Sequence, residues 1–160
     1  MMIEAPLRIY TDSVRPEWID YNGHMNVAYY VLAFDYATDA FFDYLGIGQA
    51  YKTGSGCSTF AADMNVGYRR EVHAGDPLAF TTWFLGFDDK RLHYYHEMYH
   101  GIEGWLSATC ELLSLHIDMG ARRVSPFPGA VLERLRQVRA AHAALPLPDA
   151  VGRRIRTPRG

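Results

Sequence analysis

Hydrophobic and polar positions alternate with period two over residues 7–14 (Leu-Arg-Ile-Tyr-Thr-Asp-Ser-Val), which predicts a strand. Pro16 ends it, and a polar loop follows through Asn22 and Gly23. From about Asn26 to Leu45 the period lengthens. Val27, Val31, Phe34, Thr38, Phe41 and Leu45 share one helical stripe, widened by Tyr30 and Ala37. That spacing predicts one long helix, stopped by Gly46 and Gly48. Its opposite ridge carries Asp35, Asp39 and Asp43, whose like charges at i,i+4 weaken an isolated helix. The ridge is expected to face solvent or to pair with arginines from another strand or subunit.

From residue 58 to 118 the pattern is that of strands: 58–70, 78–87, 91–100 and 105–118. Ala74-Gly75-Asp76-Pro77, Asp88-Asp89-Lys90 and Gly101-Ile102-Glu103-Gly104 bound them at hairpin spacing, so the sheet should be antiparallel. After Pro126 and Pro128, residues 129–144 read as an Arg-rich amphipathic helix. One domain over residues 1–145 and a flexible Pro/Arg-rich tail over 146–160 are expected. A single long helix with a broad apolar face is best covered by a sheet curled around it, an α+β layout.

Composition sharpens this reading. The chain has 160 residues, is 49% hydrophobic and 21% charged, and so is neither disordered nor a charged tail protein. A formal charge of -2 leaves no nucleic-acid footprint. No apolar run is long enough to span a membrane, and the start lacks the pattern of a signal peptide. Cys57 and Cys110 make neither a disulfide framework nor a metal pair, which fits a reduced cytoplasmic setting. The unusual feature is an aromatic content of 14%, with 11 Tyr, 8 Phe and 3 Trp. Such residues line a core, a self-association surface or a ligand pocket.

The densest chemistry lies at Asp20-Tyr21-Asn22-Gly23-His24-Met25-Asn26, in the loop that feeds the long helix. Asp20 is a candidate base or nucleophile, and helix-start amides can hold a developing oxyanion. Asn22 or Asn26 can equally serve as the helix N-cap, with Gly23 a turn residue. A helix N-terminus lowers the pKa of Asp20, while burial beside Trp18 and Tyr21 would oppose that effect.

The run Trp18-Ile19-Asp20-Tyr21-Asn22-Gly23-His24-Met25-Asn26-Val27-Ala28-Tyr29-Tyr30 resembles the signature of hotdog-fold acyl-CoA thioesterases of the 4-hydroxybenzoyl-CoA thioesterase type. Residues Val66 to Leu78, with Tyr68, Val72 and Gly75-Asp76, resemble a second strand-and-turn motif of that family. The Asp-x-Asn-x-His-Met-Asn variant also looks like that of plant acyl-ACP thioesterases. Across its length the chain is similar to betainyl-CoA thioesterases, which occur alone or fused to carnitine dehydrogenase.

The resemblance implies a hotdog fold, acyl-CoA as substrate, and a homodimer or homotetramer, with carnitine dehydrogenase as a functional partner. It implies no cofactor and no metal, since coenzyme A is part of the substrate. Asp20 would attack the thioester carbonyl or activate water. Val27 and neighbouring amides would hold the oxyanion, Asn22 and His24 would orient water or Asp20, and Asn26 would fix the loop. Trp18, Tyr21 and Tyr30 would contribute to an acyl pocket, completed by Asp63 and Asn65 on a strand facing a neighbouring subunit. Arg69, Arg70 and Arg91 are candidates for the coenzyme A phosphates. A small polar or cationic acyl group, betainyl above all, is expected, with a fatty acyl group or a non-catalytic acyl-CoA-binding module as alternatives.

His96-Glu97-Met98-Tyr99-His100 matches the zinc-protease pattern letter for letter, but that chemistry needs a helix. Leu92, Tyr94, Tyr95 and Tyr99 favour a strand, in which the two histidines would stand about 13 Å apart. No metal site is expected there.

Overall fold

The computed structural model describes residues 2–159. Strand β1 (Leu7–Ser13) leads through a short turn of 3-10 helix to α1 (Val27–Leu45) and α2 (Gln49–Ser55). Strands β2 (Cys57–Tyr68), β3 (Pro77–Phe87), β4 (Arg91–His100) and β5 (Leu106–Asp118) follow, then β6 (Arg123–Val124) and α3 (Gly129–His142). The strands form one antiparallel sheet in the order β1-β3-β4-β5-β2, with β6 added to β5. This is the expected α+β arrangement, a curled sheet wrapped around a long helix.

Helix α1 forms where the sequence places it because both ends are fixed. The Asn26 side chain accepts the Ala28 N–H, and Gly46, at φ 78, donates its N–H to the carbonyls of Phe42 and Asp43. Its inner row is Ala33, Phe34, Ala37, Phe41 and Leu45, essentially without solvent contact. Phe34 meets Phe80 edge-on, and Phe41 packs on Phe84 and Tyr94. Each such ring contributes about 1.5–3 kcal/mol by leaving water. Much of the aromatic excess is therefore core.

The stripe does not run true to the helix start. Val27 is 58% exposed and Val31 only half-buried. The first turn overhangs the sheet, and burial begins at Tyr30. Asp35, Asp39 and Asp43 face solvent, and no ion pair engages them among the described residues. Burial, then the charges of Asp35 and Asp43, raise the pKa of Asp39.

Helix α2 was not foreseen, since its sequence (Gln-Ala-Tyr-Lys-Thr-Gly-Ser) has no apolar stripe. Tyr51 anchors it, sharing a 2.8 Å hydrogen bond with His116 Nε2 on β5. β2 ends two residues earlier than its pattern suggests, because the N–H groups of Arg69 and Arg70 both turn onto the carbonyl of Ser107. The segment resembling a zinc-protease motif is strand, and His96 and His100 belong to β4. The tail from Pro146, expected to be loose, comes back to the sheet. Gly152 N–H donates to Glu111 Oε1 at 2.7 Å, and Arg153 bonds to Asn65 and Val66.

Candidate active site

The loop 20–24 is a tight hairpin closed by a bridge between Ile19 and Met25. Asp20 N–H donates to the His24 carbonyl, and Gly23 N–H to the Asp20 carbonyl, with Gly23 in the left-handed region at φ 82. Met25 N–H is anchored to the Val72 carbonyl and Asn26 N–H to that of Trp18. The loop is thus pinned at both feet to buried backbone.

Within it the Asp20 carboxylate is held at both oxygens. Oδ1 accepts the Asn22 N–H at 2.8 Å, and Oδ2 accepts from Asn26 Nδ2 at 2.9 Å. These two bonds, the backbone one foremost, depress its pKa below the ordinary carboxylate value. The shift is downward, as expected of a helix N-terminus, but its leading causes are these hydrogen bonds, which outweigh burial. Asn26 faces both ways, since its Oδ1 caps the helix at Ala28 N–H (3.0 Å) while its Nδ2 steadies Asp20. Tyr29 N–H bonds to the Asn26 carbonyl, and Val27 N–H has no partner among the described residues. A carboxylate and a free helix-start donor therefore sit at one end of α1, the pair that acyl transfer requires.

Asn26→Ala should separate the two duties of that side chain. Loss of the cap should cost about 1 kcal/mol of stability. Release of Asp20 should lower kcat/KM on the order of 10²-fold, far more than that stability loss explains, as steady-state thiol release and thermal melts will show.

The other candidates sit as follows. His24 does not reach Asp20: its Nε2 lies 3.4 Å from Glu71 Oε2, and its Nδ1 is 3.3 Å from the Met25 carbonyl. Asn22 acts through its backbone N–H, while its residue is exposed. Trp18, Tyr21 and Tyr30 do not form one aromatic box. Trp18 is buried, stacked on Tyr29 and covered by the Arg15 guanidinium. Tyr30 is buried too, its hydroxyl accepting the Val72 N–H, whereas Tyr21 is 97% exposed.

Asp63 and Asn65 lie on β2, an edge of the sheet, beside a cleft of about 650 Å³ also lined by His93, Glu111 and Arg153. The Asn65 amide is already engaged at both ends by Arg153, so it is not free for a substrate. Arg69, Arg70 and Arg91 do not converge. Arg91 pairs with Asp88 at 2.6 Å and is in register, through Leu115, with Phe60. Arg69 lies nine residues further along that direction, about 30 Å away. Arg70 lies over the Trp105 ring at 4.0 Å. One anion cannot be held by all three.

Sequence reasoning missed Tyr68 and Glu71. The Tyr68 hydroxyl donates to the Val27 carbonyl at 3.3 Å, tying β2 to the helix start, and Glu71 holds His24. Both lie inside the second motif, which carried no sign of what they touch.

A long helix wrapped in a curled antiparallel sheet, with an aspartate loop at the helix start, defines the hotdog fold of acyl-thioester chemistry. The chain belongs to the thioesterase-like superfamily, whose family profile matches residues 14–135. It is 40% identical over 152 residues to the betainyl-CoA thioesterase of Pseudomonas aeruginosa, covering 95% of this chain and 96% of that protein. It is 32% identical to the L-carnitine dehydrogenase/betainyl-CoA thioesterase of Rhizobium meliloti, covering 94% of this chain but 30% of that longer protein. A candidate thioesterase of Pseudomonas putida KT2440 has a solved structure that superposes with a TM-score of 0.83 at 32% identity, covering 98% and 99% of the two chains.

Proposed function

We propose that this protein hydrolyses betainyl-CoA to glycine betaine and coenzyme A. The observation that carries the reading is the Asp20 carboxylate, held by Asn22 N–H and Asn26 Nδ2 beside the Val27 N–H, which has no partner among the described residues. A carboxylate of lowered pKa is ionised at neutral pH, the form that can attack a thioester carbon. Asp20 would form the new C–O bond, the oxyanion would rest on Val27 N–H, and the C–S bond would break to release the thiolate of coenzyme A. Water would then cleave the acyl-Asp20 anhydride, freeing the acid and restoring the carboxylate. No cofactor enters this sequence.

The relative named a betainyl-CoA thioesterase, 40% identical over 95% of this chain, supports a cationic acyl group. Asp35 and Asp39 stand about 12 and 18 Å along α1 from Val27, too far to touch a betainyl nitrogen whose carbonyl is at Asp20, and within one subunit they act only by drawing the cation in. The dehydrogenase portion named for the Rhizobium meliloti relative supports a functional link to carnitine dehydrogenase. The free cysteines Cys57 and Cys110 support a reducing, cytoplasmic setting. No described helix is long and apolar enough to cross a membrane.

The active species is a homodimer or a homotetramer. β2 is a 12-residue edge strand that leaves Phe60, Met64 and Tyr68 exposed, an edge that proteins seldom leave uncovered. A second copy adding its own β2 would bring Asp63 to the interface. Purified protein assayed on a panel of betainyl-CoA and short to long fatty acyl-CoAs tests the reading. Thiol release with the highest kcat/KM on betainyl-CoA is expected. Silence across the panel would reduce the protein to an acyl-CoA-binding module, preference for a fatty chain would remove the betainyl assignment, and a monomeric mass in light scattering would remove the dimer.

A further inference from the structure

On the face of the sheet turned away from α1, Gly67 of β2 has no side chain, and two arginines approach the space above it. A Cβ at Gly67 would stand 3.2 Å from Arg153 Nη2 and 3.6 Å from Arg69 Nη1. The two like charges therefore lie within ~7 Å of each other, a repulsive arrangement unless an anion joins them. Neither arginine has an ion-pair partner among the described residues, whereas Arg8, Arg15, Arg91 and Arg136 all do.

Arg153 is built in rather than swinging free. Its Nη2 donates to Asn65 Oδ1 at 3.0 Å and to the Val66 carbonyl at 3.1 Å, and its own carbonyl accepts from Asn65 Nδ2 at 2.7 Å. Among the described residues its buried Nε has no hydrogen-bond partner and its Nη1 makes no hydrogen bond. A fixed guanidinium with unspent donors is suited to a phosphate oxygen. The nearby carboxylates only partly oppose this. Glu111 is already occupied by His93 at 2.6 Å and by Gly152 N–H, while Asp63, two residues up the strand from Asn65, is exposed. Beyond Asp149 the chain carries Arg153, Arg154, Arg156 and Arg159 and no acidic residue.

The position matters as much as the charge. Tyr68 stands between Gly67 and Arg69 in the chain, and its hydroxyl bonds to the Val27 carbonyl at the start of α1. The arginine pair thus lies at the same end of the sheet as Asp20. A CoA thioester has its phosphates on the nucleotide, joined by a long neutral pantetheine arm to the reacting carbonyl.

We infer that Arg153 and Arg69, with the arginines that follow in the C-terminal tail, form the subsite for the nucleotide phosphates of the CoA thioester. The inference rests on the thioesterase reading. It replaces Arg70 and Arg91 as phosphate ligands with residues of a tail that sequence reasoning set aside. Asn65 becomes a positioning residue, which holds Arg153 rather than the acyl group.

The test separates binding from turnover. Titration calorimetry with coenzyme A, 3′-dephospho-coenzyme A and pantetheine is run on wild type, Arg153→Ala, Arg69→Ala and Arg153→Lys. Hydrolysis of betainyl-CoA and of betainyl-pantetheine is measured in parallel. Arg153→Ala and Arg69→Ala should each weaken coenzyme A binding about tenfold and raise KM for the CoA thioester without lowering kcat, with partial rescue by lysine. Their handling of betainyl-pantetheine, which has no nucleotide, should match wild type. An unchanged coenzyme A affinity, an equal loss on pantetheine, or no binding of coenzyme A to wild type would each overturn the subsite. Arginine-dependent coenzyme A binding without any hydrolysis would keep the subsite and remove the hydrolase reading instead.

Discussion

Replacing Asp20 with alanine is expected to slow CoA-thioester hydrolysis on the order of 10²–10⁴-fold. The melting temperature should hardly move. Asp20 lies in a loop whose feet are fixed by backbone bonds that do not involve its carboxylate, Met25 to Val72 and Asn26 to Trp18. The pH profile distinguishes Asp20 from His24 as the acting group. Hydrogen bonds to the ionised form hold the Asp20 pKa below the ordinary carboxylate range, so the carboxylate stays charged until the pH falls beneath that range. The acid limb of kcat/KM should accordingly lie below the ordinary carboxylate range, or be masked by unfolding, and not near neutrality. Wild-type rates in Asp20→Asn together with loss of activity in His24→Ala would transfer the role to the imidazole. Wild-type rates in Asp20→Ala would remove Asp20 from the chemistry altogether.

What the sequence made legible was whatever depends on local periodicity. The long helix, the four main strands and the strand character of His96-Glu97-Met98-Tyr99-His100 all follow from spacing between near neighbours. The Asp20 loop was equally visible, because carboxylate, turn glycine and N-cap fall within seven residues. Helix α2 escaped because it is held by one cross-chain bond, Tyr51 to His116, and not by a stripe of its own. The family resemblance gives His24 the role of orienting water or Asp20, yet the hairpin turns it to Glu71 on another segment. Arg153 was the hardest to see. Its partner Asn65 lies 88 residues away, and the composition of the tail suggests a loose segment. Contacts between distant segments have no periodic signature, and in this chain they decide which polar groups remain free for a ligand.

Acid should destabilise this protein through His96, well before its carboxylates begin to protonate. The imidazole is completely buried between α1 and the sheet, with Nε2 2.9 Å from Thr38 Oγ1 and Nδ1 2.9 Å from Thr82 Oγ1. Phe34 stacks on one side, and Tyr94 meets the ring edge-on. Neutral imidazole suits this setting, since one nitrogen donates, the other accepts, and the two hydroxyls rotate to match. Among the described residues no carboxylate pairs with the ring to meet a cation, and desolvation pushes the pKa from 6.5 down to about 3. The unfolded chain takes up this proton at ordinary pH values and the folded one resists. Stability is therefore fully present above pH 6.5 and is lost as the pH falls toward 3, by an amount on the order of 4 kcal/mol. Urea unfolding at pH 7 and at successively lower pH should reveal this loss in wild type. His96→Gln, which can still bond both threonines but does not titrate, should flatten the slope between pH 6.5 and 4.5 even if its stability at pH 7 is lower. An identical slope in the glutamine variant would assign the acid sensitivity to other groups, and His142, whose pKa burial also lowers, would be the next to replace.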